Sequence, residues 1–413
     1  MNDNHHVQQQ RDWLWLAIIV GIGVALRAAA IVGFNHVPES DELAYRSMAL
    51  NLVRGNGIVD SMGNHAMYSV GYPLFVLAPV FFIFGEDLLA VRLLNTFLGC
   101  VAIVLCYFVA KEAGADRLGR LMAASTWALY LPASVYAVYL YKENLMIPLI
   151  LGVMWCALRL ASQPSKSVAV GCGALFGLLA LAGNAALSLV GVVALALVLT
   201  PALTAKRLTL VMLMLAVAFA VAGPWVVRNI QVIGAPVLNT NGGFNLYLGN
   251  NPAATGMFVS ISDTPRGSTW GELRRVGEVQ ASETLKQEAA AWIQANPAEF
   301  VMLAFRKLAY FWTPPFHDGK GEQSSVEKLV RLLWAMQFVV LMAAAIGTVL
   351  ISSLRNRQLA LLWISIACYS AVHMLFYVIY RYREPIMPVV AIMAALAIEA
   401  VVSRRSWLSV SKR

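Results

Sequence analysis

The chain has 413 residues, of which 59% are hydrophobic and only 13% charged, with a mean hydropathy of +0.67. A soluble domain carries about a quarter of its residues as charges, whereas here apolar runs of ~20 residues, the length that crosses a hydrocarbon layer, recur along the chain; a soluble globular class is excluded. The net charge of +9 does not point to nucleic acid either, because Lys and Arg fall in short clusters between apolar spans, as they do in cytoplasmic loops.

From the N-terminus, a polar tail precedes a first span over 14–34, too long for a signal-peptide core and without a small-residue cleavage site after it, so it is expected to be retained. A polar stretch follows, then a short apolar run, 72–84, interrupted by Pro73 and Pro79 and expected to be interfacial or re-entrant. Further spans are expected over 88–111, 118–137, 144–161, 168–183, 185–201, 208–230, 328–352, 359–379 and 385–402. With 72–84 left out of the count, Lys111/Arg117/Arg120, Arg159/Lys166, Lys206/Arg207, Arg355/Arg357 and Arg404/Arg405/Lys412/Arg413 all fall on the cytoplasmic side. This predicts roughly ten spans with both termini cytoplasmic.

Two outer segments remain, 35–87 and 231–327, which divides the chain into a transmembrane module over 1–230 that includes the first outer loop, a cap over 231–327, and transmembrane helices over 328–413. Within the cap, Asn296-Pro297 with Glu299 predicts a helix start, running on to Phe311, and 268–294 is expected to hold another helix. Cys100, Cys106, Cys156, Cys172 and Cys368 lie in apolar stretches with no CxxC spacing and are read as packing residues, not as metal ligands or disulfides.

Candidate chemistry concentrates at the outer ends of spans. Glu39-Ser40-Asp41-Glu42 opens the first outer loop; Asp41 suits a helix N-cap, and equally a base held at the lip of the bilayer. Lys142-Glu143 sits between two spans among Tyr136, Tyr139 and Tyr141, either as a solvated turn or as part of an interfacial site. Arg381 and Arg383, in Tyr380-Arg381-Tyr382-Arg383-Glu384-Pro385, run against the positive-inside bias and suit a phosphate, or a headgroup to which they snorkel. The run from Asn241 to Pro252 combines amides, glycines and aromatics, as a sugar-binding loop or a turn-rich structural loop would.

In their order and shared sidedness these elements resemble the polytopic GT-C glycosyltransferases of the protein mannosyltransferase and aminoarabinose transferase type. The resemblance runs through Ser40-Asp41-Glu42 with Tyr45, Tyr68 to Pro73, Arg92 with Asn95, Lys142-Glu143, Pro224-Trp225 with Arg228-Asn229, Gly243 to Pro252, and Arg381 to Pro385. It departs at Ser69-Val70, where members often carry two prolines, and at Asn184-Ala185, where an Arg-Pro is usual; a large C-terminal soluble portion like that of those two enzyme types is not expected within these 413 residues.

The resemblance implies an all-α GT-C-like bundle with interfacial helices and a small, mainly helical periplasmic cap, in a bacterial inner membrane. It also implies inverting transfer of a sugar from an undecaprenyl- or decaprenyl-type phosphate donor to a hydroxyl of a glycan, lipid or protein acceptor. Asp41 and Glu143 would be catalytic; Glu42, Tyr45, Tyr68, Arg92, Lys142, Asn245, Asn250, Arg381 and Arg383 would bind substrate. No cofactor is expected to be required: Asp41 and Glu143 would share a divalent cation, Mg or Mn, only if they came within a few ångströms, and no His or further carboxylate supports a dedicated site. The alternative, a transporter or flippase of a lipid-linked saccharide, would place ionisable residues near the bilayer midplane in repeated halves, and no such repeat is visible here.

Overall fold

The computed structural model describes residues 2–34, 36–199, 204–315, 325–351 and 356–410, with side chains for all of these except 2–10, 199 and 404–410. Arg355, Lys412 and Arg413 of the basic clusters lie outside the described residues, as do the side chains of Arg404 and Arg405. Within this range the backbone is helical almost throughout, and its one β-type pairing is an isolated bridge between Met257 and Val378.

Helix α1 spans Asn2–Gly33, so the polar N-terminal stretch continues the first span as helix instead of forming a loose tail. Helix α2, Asp41–Val53, lies in the first loop and buries Ala44, Tyr45, Met48 and Ala49. The Tyr72–Phe84 run is a π-turn, Pro73–Leu77, leading into α3, Ala78–Phe84. Pro79 has no N–H with which to continue an α-helical ladder, and the run is too short to cross a bilayer.

Helix α4 is Leu88–Glu112, capped by Asp87, whose carboxylate accepts from the N–H groups of Leu89 and Ala90. Then come α5, Arg117–Leu129, and α6, Leu131–Val135; Pro132 has no N–H to carry the ladder across their junction, where the axis bends by 59°. Next are α7, Glu143–Ser162, and α8, Lys166–Ala182, followed by a 3₁₀ segment, Asn184–Leu189, α9, Val190–Leu199, and α10, Thr204–Ile233.

The expected cap segment holds α11, Asn241–Gly249, α12, Trp270–Arg275, α13, Glu278–Ala295, and α14, Pro297–Phe311. The last starts and stops where the sequence predicts, although Asn296 donates its amide to Trp292 O at 2.9 Å and makes no side-chain cap bond. Helices α15, Ser325–Leu350, α16, Arg357–His373, and α17, Met387–Val410, complete the chain.

Among the described residues, six helices are long and apolar enough to cross a membrane, or seven if the bent α5–α6 pair is one span; Lys166–Ala182 and Asn184–Val198 are shorter apolar helices. The bundle presents apolar side chains outward, with Val32, Phe82 and Phe219 each more than 70% exposed, as a lipid-facing surface requires. Its interior centres on α7, which is buried along almost its whole length.

The two ends of the bundle differ chemically. Arg117 pairs with Asp12, Arg159 pairs with Glu112, and Glu399 accepts from Gly119 N at 2.7 Å, so the basic clusters gather where α1, α5 and α17 meet the far ends of α4 and α7. The acids singled out above lie at the opposite end. There α11 comes so close to 376–377 that a Cβ on Gly249 would stand 2.6 Å from Phe376 C, which only glycine permits.

Candidate active site

Three segments far apart in the chain converge at this end. Asp41 is the first residue of α2, and the N-cap position falls to Ser40, which makes no side-chain cap bond. The Asp41 carboxylate is therefore not the helix cap. Its Oδ2 accepts from Arg381 Nη2 at 2.6 Å. Ser40 has φ 50° and ψ −121°, a left-handed conformation that a residue with a Cβ adopts only under strain, and it aims α2 at this contact.

Glu143, the first residue of α7, is buried; its Oε1 stands 3.3 Å from Arg381 Nε, while Oε2 has no hydrogen-bond partner among the described residues. The Arg381 guanidinium also lies over the Tyr141 ring at 4.0 Å, and Tyr141 stacks on Tyr139 at 4.9 Å and 13°. Burial pushes the Tyr141 phenol up, against the opposing charge of Arg381. One guanidinium thus bridges two carboxylates with an aromatic floor beneath it.

The remaining predicted residues divide. Lys142 and Asn245 line a cavity of about 310 Å³ beside the cluster, together with Asn184, Asn239, Asn241 and Ser69. Tyr45 and Tyr68 meet edge to face at 5.8 Å; burial raises both phenols, and the Asp41 charge adds to the effect.

Glu42 is buried and committed: Oε1 accepts from Leu140 N at 2.6 Å and Oε2 from Glu39 N, with His36 Nε2 2.6 Å away. Arg92 donates to Val138 O and His36 O. These two residues hold the first loop against the α6–α7 connection and do not face the cavity. Asn250 is fully buried, donating to Leu246 O and Leu375 O and accepting from Lys307 Nζ at 2.9 Å. Arg383 is also fully buried, donating to Phe311 O and Thr313 O with its guanidinium 4.1 Å from the Phe338 ring. Neither joins Arg381 at the acids.

Sequence reasoning missed His36, Asn239 and Tyr377. Asn239 extends the amide run upstream by two residues and was within reach of the same compositional argument. His36 and Tyr377 carry no local signal, since their roles depend on Glu42 and Tyr382, whose hydroxyl lies 3.1 Å from that of Tyr377. Among the described residues, no group of three or more His, Cys, Asp or Glu is placed to hold a metal ion.

No protein-family model matches the sequence, and no curated protein matches it. Solved structures do. Over 98% of its length the chain is similar to 52% of the oligosaccharyltransferase AglB from Archaeoglobus fulgidus in complex with an inhibitory peptide and a dolichol-phosphate, at 16% identity and a TM-score of 0.56. The same enzyme tethered to an acceptor peptide containing the NVT sequon matches over 94% of the chain and 50% of its own, at 15% identity and a TM-score of 0.55. ArnT from Cupriavidus metallidurans bound to undecaprenyl phosphate is a weaker likeness, with 94% of the chain against 77% of its own, 15% identity and a TM-score of 0.47. The chain spans about half the length of the archaeal enzyme. It is a polytopic helical membrane protein with the GT-C fold, which it shares with that half of the archaeal oligosaccharyltransferase.

Proposed function

We propose that the chain is an inverting glycosyltransferase, moving a sugar from a polyprenyl-phosphate donor of undecaprenyl or decaprenyl type to a hydroxyl of a glycan, lipid or protein acceptor, on the periplasmic face of a bacterial inner membrane. The observation that carries this reading is the bridge from Asp41 through Arg381 to Glu143, assembled from three distant segments beside an amide-lined cavity. The GT-C fold supports it, and so does the dolichol-phosphate bound by the archaeal neighbour. The separation of basic clusters from this end supports the orientation.

In this reading Asp41 is the base. Arg381 holds Oδ2, and Oδ1, with no bond among the described residues, accepts the proton of the acceptor hydroxyl. The hydroxyl oxygen attacks the anomeric carbon from the face opposite the phosphate. The bond from that carbon to the phosphate oxygen breaks, and polyprenyl phosphate leaves with the electron pair, so the anomeric configuration inverts. Lys142, at the cavity wall, meets the negative charge that grows on the leaving phosphate. Glu143 orients Arg381, and Asn245 with the neighbouring amides reads the sugar hydroxyls. Glu42, Arg92, Asn250 and Arg383 position these elements. A divalent cation, Mg or Mn, would meet the same two carboxylates, so cation and guanidinium compete for one place.

The test is to incubate purified protein with a panel of polyprenyl-phosphate sugars and measure release of free lipid phosphate. Release that depends on Asp41 supports the reading; sugar lipids that move across vesicles without being cleaved would replace it with a flippase.

A further inference from the structure

A second cavity, of about 180 Å³, lies outside the spans, between the first loop and the cap segment. The two cavities share a wall. Ser69, Asn239 and Asn245 face the larger one, beside Lys142; Tyr68, Thr240 and Phe244, their neighbours in sequence, face the smaller. A transferase takes two substrates at adjacent positions, and two neighbouring cavities lined by different residues offer them.

The residues around the smaller cavity differ in kind from those of its neighbour. Trp270 and Phe244 form an aromatic corner, ring centroids 5.4 Å apart at 41°, with Tyr68 on the shared wall. Such faces stack on the C–H surface of a sugar ring, while Asn64 and Ser282 offer polar atoms at the rim. Glu278 accepts from His65 N at 2.7 Å, from Ala66 N and from Thr240 Oγ1 at 2.8 Å; it pins the loop to the cap and has little capacity left for a ligand. Arg274 also lines the cavity, and it makes no ion pair among the described residues. Its fork suits a carboxylate. Tyr68 connects this cavity to the acids, lying within electrostatic range of both Asp41 and Arg274.

We propose that the cavity bounded by Tyr68, Phe244, Trp270 and Arg274 is the acceptor subsite, and that it takes an acidic saccharide whose ring stacks on the aromatic corner and whose carboxylate meets Arg274. The proposal narrows the acceptor of the transferase reading and rests on that reading for the word acceptor. The saccharide site itself can be tested without any donor.

Saturation-transfer NMR on the purified full chain, with a galacturonic acid trimer and maltotriose as probes, reads binding directly. The acidic trimer is expected to receive saturation and to compete out maltotriose. Arg274→Gln, a change at an exposed residue, should weaken the acidic trimer at least tenfold with maltotriose unchanged, and Trp270→Ala should weaken both. Absence of transfer to either trimer, or unchanged binding of the acidic trimer in both variants, overturns the site. Lipid-phosphate release by the unaltered protein is a separate readout: its failure removes the transferase reading and leaves a saccharide site standing, whereas failure of binding with release intact removes this subsite alone.

Discussion

Arg381 Nη2 donates to Asp41 Oδ2 at 2.6 Å across 340 residues of sequence, and its Nε stands 3.3 Å from Glu143 Oε1. The first contact is a hydrogen bond and the second an ion pair without one, and together they tie the start of α2, the start of α7 and the turn before α17 to a single guanidinium. The first three predictions concern that cluster and its cavity.

Asp41→Asn keeps an acceptor oxygen for Arg381 and should leave the fold intact. It removes the proposed base, and loss of a general base costs about 10²- to 10⁴-fold. Lipid-phosphate release from a polyprenyl-phosphate sugar should fall by that factor, with the melting temperature unchanged. A variant that turns over like the parent would reduce Asp41 to a partner of Arg381.

Arg381→Lys retains the charge but replaces the planar fork with a compact, strongly hydrated ammonium that no longer fixes Asp41 in the same direction. Misplacement of Asp41 by an ångström is enough for a loss of about 100-fold in kcat, and steady-state kinetics would register it. Full activity in the lysine variant would mean that charge alone matters here, not the fork.

Lys142→Met removes the cation at the wall of the larger cavity while keeping the bulk of the side chain. A charge-assisted contact to phosphate is worth about 1.5–3 kcal/mol, so KM for the donor should rise roughly tenfold or more while KM for the acceptor holds. The opposite split would move Lys142 to the acceptor side.

Ser40, at φ 50° and ψ −121°, occupies backbone space that glycine enters freely. Ser40→Gly should melt at or above the parent temperature and keep its activity. Ser40→Val should lose about 1–3 kcal/mol of stability, the cost of a strained backbone, and misdirect Asp41. Identical melting of both variants would show that the turn is unstrained.

Lys307, in α14, is fully buried with Asn250 Oδ1 as its acceptor, and burial pushes its ammonium down from 10.5 to about 8. Between those values the unfolded chain binds a proton that the folded chain does not, so stability should rise as pH goes from about 8 to about 10.5 and be lowest below that window. Thermal melts in detergent across this range measure the slope, and Lys307→Met should flatten it. A parent protein whose melting temperature is level from pH 8 to 10 contradicts the buried charge.

Much of the helical plan was legible because membrane spans and helix starts are local signals. The apolar length of Leu88–Glu112 or Glu143–Ser162 needs no partner to be recognised, and Asn296-Pro297 with Glu299 marks α14 by itself. The limits of locality appear at α1, where a polar stretch continues as helix from Asn2, and at α5–α6, where one expected span breaks at 59°. The candidate site was legible as a set of residues at one end of the bundle, since loop charge assigns ends, but not as an arrangement.

Arg381 and Arg383 mark the boundary. Sequence treats them alike, two arginines in one outer turn flanked by tyrosines. They sit in a 3₁₀ segment, Tyr380–Ile386, where three residues complete a turn and positions two apart diverge by about 120°. One guanidinium therefore reaches Asp41 and Glu143 while the other lies buried beneath Phe338 and bonded to Phe311 and Thr313. Asn245 and Asn250 part in the same way, one to a cavity wall and one to a buried clamp with Lys307. Composition, span length and loop charge determined by themselves that this chain crosses a membrane and which end of the bundle gathers its acids. Which arginine meets those acids, and which amide faces the cavity, only the tertiary structure decided, because the direction of a side chain depends on the local turn and on partners hundreds of residues away.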